Sequence, residues 1–329
     1  MTAEPLPLAR PAGPAADRAD ADRPDDAAPR EALYAPDHPL DVRRTTALLR
    51  RGAADPAWRV APDGALWQAT LTPAGPATRR LETTRHGVRV HAWGPGAEHA
   101  VAGVPDLLGA RDASHGLPAH LHPLVHAAHR RLPGLRVPRS ANLVESLVPA
   151  ILEQRVVGLD AKASWCRLVR RHGLPAPGPA PEGMRVPPPA ATWRDLPVWE
   201  WRAAGVEEAR AGTVRRAMAV ADRLQEAVDL PVAEARRRLL TVRGIGEWTV
   251  AETACRVLGD TDAVSVGDYH LAHLVGWALT GERTDDPGMV RLLEPWRPHR
   301  HRVVRLLEIT AAARAPRFGP RSPRARPLR

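Results

Sequence analysis

Cysteine is nearly missing from this 329-residue chain, where only Cys166 and Cys255 occur. A four-cysteine iron–sulfur cluster or zinc site built from this chain alone is therefore excluded. Both cysteines sit among apolar neighbours in helix-like patterns, which reads as buried free thiols in a reducing, cytoplasmic setting. Lysine is scarcer still. Of 47 basic residues, Lys162 is the one lysine and the rest are arginine, so chemistry that needs a lysine amine has a single candidate. Phe occurs once and Tyr twice, against ten Trp. No apolar run reaches the roughly 20 residues a membrane helix needs. The opening "MTAEPLPLARPAGPAADRAD" lacks the apolar core of a signal peptide.

Hydrophobic residues make up 44% of the chain, enough for a substantial core, and the length suits two compact domains or one with an appendage. The formal net charge is +10. Such a surface has an electrostatic reason to meet phosphates, although acidic partners, or none in particular, fit the charge equally. Residues 1–33 are rich in Pro, Ala and Asp without apolar periodicity and read as a disordered tail. Residues 315–329 carry a run of Arg without an acid and read as a second, basic tail.

Residues 34–115 form a small N-terminal domain. "GALWQATLT" and "GVRVHAWG" alternate apolar and polar residues as strands do, with "TPAGPAT" reading as turn chemistry between them. Residues 116–314 are helical. "HLHPLVHAAHRRL" and "NLVESLVPAILEQRV" place apolar residues three and four apart, with Pro149 expected to kink the second. "LPAPGPAPEGMRVPPPAAT" reads as a surface loop. The histidines at 120, 122, 126 and 129 have a spacing that suggests a metal, but no Cys or acid converges on them locally.

The densest signal is "LLTVRGIGEWTVAETACRVLGDTDAVSVGDYHL". It reads as a helix, a tight turn at Gly244 and Gly246, a second helix, and then Asp268 at the head of a third apolar run. Glycines there permit angles closed to other residues and leave an approach to backbone free. The amides opening the second helix form an anion site that suits a phosphate. Taken alone, the glycines equally describe a helix C-cap and a corner. Asp268 taken alone equally describes an N-cap.

Turn and aspartate together resemble the helix-hairpin-helix DNA glycosylase superfamily, with the hairpin at about residues 232–258. "PGLRVPRSANLVESLVPAILEQRVV" and the preceding small sheet domain resemble the DNA-3-methyladenine glycosylase II branch. The resemblance spans roughly residues 40–314. It implies an α+β fold: a mostly helical glycosylase body behind a small antiparallel β-sheet domain. It implies double-stranded DNA as partner, a monomer, and no membrane. It also implies a monovalent cation on the main-chain carbonyls of Leu240, Val242 and Gly244.

On that resemblance Asp268 is the catalytic carboxylate. It would stabilise the oxocarbenium-like sugar as the base leaves, and position or deprotonate the attacking water. Asp260 and Asp262 lie in "GDTDA" and read as turn residues. Trp248 occupies the position where lyase relatives carry a Schiff-base lysine. This implies a monofunctional hydrolase with no cofactor and no iron–sulfur cluster. Trp248 also matches a base-pocket Trp. Two further aromatic pocket positions fall on Glu252 and Glu308. They would draw a cationic base by charge, select another lesion, or simply be solvated helix-face residues. Gln154 and Arg155 match the loop that wedges into the gap left by a flipped base. Arg300 and Arg302 are candidate phosphate contacts or partners of Asp268. Alkylated purines lead as substrates. A glycosylase for deaminated bases and a non-catalytic damage sensor are the alternatives.

Overall fold

The computed structural model describes residues 28–316. Most of the expected N-terminal tail and of the basic C-terminal tail lies outside these residues. The boundary placed between residues 33 and 34 falls inside strand β1, Arg30–Tyr34. It is an edge strand paired antiparallel with β5, with Ala32 opposite Val90.

Five antiparallel strands make the sheet, in the order β1-β5-β4-β3-β2: β1, β2 (Trp58–Val60), β3 (Leu66–Thr72), β4 (Gly75–Thr84) and β5 (Gly87–Trp93). The segment read as turn chemistry is a turn only to Gly75. Beyond it Pro76 and Thr78 pair with Leu71 and Ala69 of β3. Three short helices accompany the sheet: α1 (Val42–Thr46), α2 (Ala97–Ala102) and α3 (Val104–Leu107). Leu66, Leu81, Val90, Leu107 and Leu108 fill the core beneath.

The helical body has two lobes. The chain enters the second lobe as α4 (Pro123–Arg131) and crosses to the first. There it builds α5 (Leu143–Leu152), α6 (Gly158–His172), α7 (Ala190–Asp195), α8 (Val198–Ala203), α9 (Glu208–Met218), α10 (Ala221–Gln225), α11 (Val232–Leu240) and α12 (Glu247–Val257). It then returns as α13 (Leu271–Thr280), α14 (Asp286–Leu293) and α15 (Arg300–Thr310). The first lobe packs around Leu147, Ile151, Leu168, Trp193 and Trp201. The second packs around Val125, Val275, Leu293, Val303 and Leu307. Helix α5 starts at Asn142, whose side chain caps the Glu145 amide, and runs through Pro149. Helix α13 stops at Gly281, whose φ of 81° is the left-handed C-cap conformation.

The Pro-rich segment after α6 is not a free surface loop. Its short strands β6 (Leu174–Pro175) and β7 (Arg185–Val186) pair, and Met184 and Val186 are buried against Trp67 and Ala69 of the sheet. It ties the N-terminal domain to the body.

Candidate active site between the two helical lobes

The hairpin is held from inside and from behind. Val242 and Ile245 point into the first-lobe core, and the Ile245 amide closes the turn on the Val242 carbonyl at 3.0 Å. Gly244 has φ 98°, and a Cβ there would lie 2.4 Å from Thr213 Oγ1, so this position accepts only glycine. Gly246 differs. Its φ is −107° and nothing lies within 4 Å of an added Cβ, so its surface stands open. The first amides of α12 follow it without intrahelical partners, with the positive end of the helix behind them.

Gln154 reaches the hairpin from the end of α5. Its amide donates to the Gly244 carbonyl at 2.9 Å and to Thr249 Oγ1 at 2.8 Å. Arg155, next in the chain, is exposed and left-handed with φ 51°. A non-glycine residue there costs roughly 1 kcal/mol, and the clamp made by Gln154 holds it. Arg155 is thereby presented as a projecting tip beside the hairpin.

The Gly244 carbonyl shares its density with Gln154, and the Val242 carbonyl with the Ile245 amide. Each oxygen keeps a second lone pair. Like the Leu240 carbonyl, they are neutral oxygens, the donor chemistry of a weakly held monovalent cation and not of a transition metal. Among the described residues no three His, Cys, Asp or Glu side chains converge to hold a metal ion. His122 instead caps α4, its Nδ1 accepting the Leu124 amide.

Asp268 stands where the lobes meet. Its Oδ1 accepts the amides of His270 and Leu271, both at 2.9 Å, and so caps α13. Its Oδ2 faces the other lobe, where the indole N–H of Trp248 on α12 approaches to 3.3 Å. The carboxylate is thus both a cap and an oriented anion, and it lines a cavity of about 150 Å³. A cavity on that order admits an aromatic ring.

Besides the loop before α13 (Ala263, Ser265) and α13 itself (Leu271, Leu274), three parts of the chain line the cavity around Asp268. Leu48 enters from the N-terminal domain, Glu252 and Arg256 from α12, and His301, Arg305 and Glu308 from α15. Both glutamates placed at the aromatic positions therefore do line the cavity. Trp248 does not line it, but stands beside it against Asp268.

Glu252 is fully engaged. Its Oε1 accepts the Ser265 hydroxyl at 2.5 Å and its Oε2 the Arg256 guanidinium at 2.8 Å. Burial alone would raise its pKa, but Arg256 and Ser265 outweigh burial and hold it at about 2. Arg256 also donates to the Leu48 carbonyl at 3.0 Å, tying the N-terminal domain to the cavity wall. Glu308 is exposed at the rim and pairs with Arg305.

Two expected contacts belong elsewhere. Arg300 is 8% exposed, and its guanidinium closes on both carboxylate oxygens of Asp262, at 2.8 and 2.6 Å. Its guanidinium is thus turned to Asp262 and not to Asp268. Arg302 is buried against Asp112. Asp262 is correspondingly an ion-pair anchor as well as a loop residue. His301, Arg305, Arg256 and Ser265 escaped the sequence reading. The spacing of 301, 305 and 308 was visible as one helix face, and Glu252 with Arg256 as an i, i+4 pair.

No protein-family model and no curated protein matches the chain in sequence. Solved structures do match it in fold. A 3-methyladenine DNA glycosylase from Archaeoglobus fulgidus superposes with a TM-score of 0.70 at 15% identity, covering 85% of this chain and 97% of that one. The 8-oxoguanine glycosylase/lyase of Clostridium acetobutylicum, in complex with double-stranded DNA, gives 0.65 at 12% identity, covering 84% and 93%. Its apo form gives 0.65 at 12% identity, covering 87% and 100%. The chain has the α+β fold of the helix-hairpin-helix DNA glycosylases, with the small sheet domain included.

Proposed function

We propose that the protein is a DNA glycosylase of base-excision repair that hydrolyses the N-glycosidic bond of a damaged purine in duplex DNA. One observation carries the reading. The Asp268 carboxylate is held between the first amides of α13 and the Trp248 indole, on the wall of a cavity large enough for a ring, in a body of glycosylase fold. Open amides at Gly246 and the exposed Arg155 would hold the DNA backbone and fill the gap left by a flipped nucleotide. Asp268 would then face the sugar as its base departs. Its negative charge, fixed before the reaction, stabilises the developing oxocarbenium ion. Water completes the hydrolysis.

Trp248 in place of a lysine supports a monofunctional enzyme, and Lys162 lies on α6, outside the cavity lining. Alkylated purines are the substrates we assign first, with the protein acting as a monomer in the cytoplasm. A deaminated base is the second reading. It is favoured by a cavity wall with no Trp, Tyr or Phe to stack a cationic base. A monovalent cation on the carbonyls of Leu240, Val242 and Gly244 would add positive charge where a phosphate meets the hairpin.

The test is release of free bases from methylated duplex DNA, followed by alkali treatment. The expected product is an abasic strand that breaks only after alkali. Strand breakage without alkali would contradict the monofunctional assignment. No base released from methylated or deaminated duplexes would contradict the enzyme.

A further inference from the structure

The short loop that delivers Asp268 is tied to both lobes. On one side Ser265 donates its hydroxyl to Glu252 of α12 at 2.5 Å. On the other the Gly267 amide donates to Oδ2 of Asp286 at 3.0 Å. Asp286 is the first residue of α14, in the second lobe, and is not among the residues that line the cavity.

Gly267 has φ 90°, and nothing lies within 4 Å of a Cβ added there. Glycine is therefore required by the backbone angle and not by space. This left-handed step comes immediately before Asp268, so it sets the direction in which the Asp268 side chain leaves the loop. Asp286 holds the amide of that step.

The anchor is itself fixed. Met289 and Leu293 of α14 are fully buried in the second-lobe core. A Cβ at Gly276 of α13 would lie 2.7 Å from the Glu282 carbonyl oxygen, and one at Gly288 of α14 would collide with Thr284 Oγ1. The turn between the two helices is thus packed closely on both. Asp285 caps α14 through the Gly288 amide at 2.8 Å, which leaves Asp286 to reach the loop. The other oxygen of Asp286, Oδ1, is buried without a hydrogen-bond partner. Such an oxygen costs stability, so the fold alone does not account for a carboxylate at this position.

We infer that Asp286 is a positioning residue for the reaction. Through the Gly267 amide it fixes the left-handed step that aims the Asp268 carboxylate into the cleft. The inference rests on the glycosylase reading above. A charge that stabilises a developing cation works best when its place is set before the reaction. A displacement of about 1 Å can cost up to about a hundredfold in rate. The far end of the same carboxylate has a reporter, because the Trp248 indole N–H reaches Asp268 Oδ2 at 3.3 Å.

The test compares Asp286→Ala with Asp286→Asn. Both remove the charge, but Asn keeps an oxygen that can accept the Gly267 amide. Single-turnover base release from a methylated duplex is expected to fall about tenfold in Asp286→Ala, with duplex affinity within about threefold of wild type. Asp286→Asn is expected to restore the rate to within about threefold of wild type. Asp286→Ser, whose oxygen is one bond short of the carboxylate's, is a second variant expected to follow Asp286→Ala. An unchanged rate in Asp286→Ala, or an equal loss in Asp286→Asn, would overturn the inference. If the wild type releases no base, the glycosylase reading fails separately, and the Trp248 indole resonance decides. It is identified by its loss in Trp248→Phe. An indole N–H resonance that moves upfield in Asp286→Ala and stays in place in Asp286→Asn supports the inference. One that is unmoved in Asp286→Ala, or moves equally in both variants, overturns it.

Discussion

Asp268 holds two offices that a substitution can separate. As a cap it needs an acceptor at Oδ1 for the His270 and Leu271 amides, and as the proposed catalyst it needs charge. Asn keeps the first and loses the second, and the two residues cap helices about equally. Asp268→Asn should therefore unfold within about 0.5 kcal/mol of wild type in urea. Its base release should fall about a hundredfold or more. Arg300 supplies the opposite case. Arg300→Met removes a buried partner from Asp262 and should cost about 3 kcal/mol of stability, while the folded variant keeps its affinity for DNA in a fluorescence titration. The sequence could not separate these roles for Arg300, because an arginine bound to phosphate and one bound to an aspartate 38 residues away look alike in one dimension. Trp248, Glu252 and Glu308 were legible as positions only through the resemblance, which matches them to pocket positions of the family. That Glu252 is tied to Ser265, 13 residues on, depends on how the loop before α13 folds back, and no local pattern encodes that.

At the scale of the element, the hairpin glycines predict different failures. Gly244→Ala would force a Cβ to 2.4 Å from Thr213 Oγ1 at φ 98°. It should destabilise the protein by about 1–3 kcal/mol, read as a lowered Tm. Gly246→Ala meets nothing in the folded chain. It should leave Tm nearly unchanged and weaken duplex binding about tenfold, because its methyl group would add bulk to the open surface where α12 begins. The hairpin was readable because its glycines, flanking helices and following aspartate are contiguous. Strand β1 was not, since four of its five residues were absorbed into a stretch whose composition favours disorder. Its structure comes from pairing with β5, nearly sixty positions away. Strand β4 was hidden by Gly75–Pro76, which reads as a turn and is also the first rung of the ladder.

Across the whole molecule, the sheet meets the helical body through Glu145, whose Oε1 accepts the Thr70 hydroxyl at 2.9 Å and the Leu71 amide at 2.8 Å. Loss of solvent raises its pKa to about 7, against the smaller opposing pull of these bonds and of Arg79. The folded carboxyl therefore holds a proton between its ordinary pKa of 4.5 and about 7, where the unfolded one has released it. Stability contributed by this group is full below pH 4.5 and is lost as pH rises to about 7. Glu145→Gln lacks the titration. In urea unfolding its stability relative to wild type should climb by about 3 kcal/mol between pH 4.5 and 8. A flat difference would mean that the joint does not hold the proton. The helical body was legible, but its division into two lobes, with α4 packed against α15 from the far end of the chain, was not, because packing partners so distant leave no local trace. The account stands or falls on whether the cleft between those lobes performs hydrolysis. Its most direct test is the single-turnover rate of base release from a methylated duplex, wild type beside Asp268→Asn, with duplex affinity measured on the same samples. The account predicts release by the wild type, a loss of about a hundredfold in the variant, and affinities that agree within about threefold. Equal rates in the two proteins would contradict it.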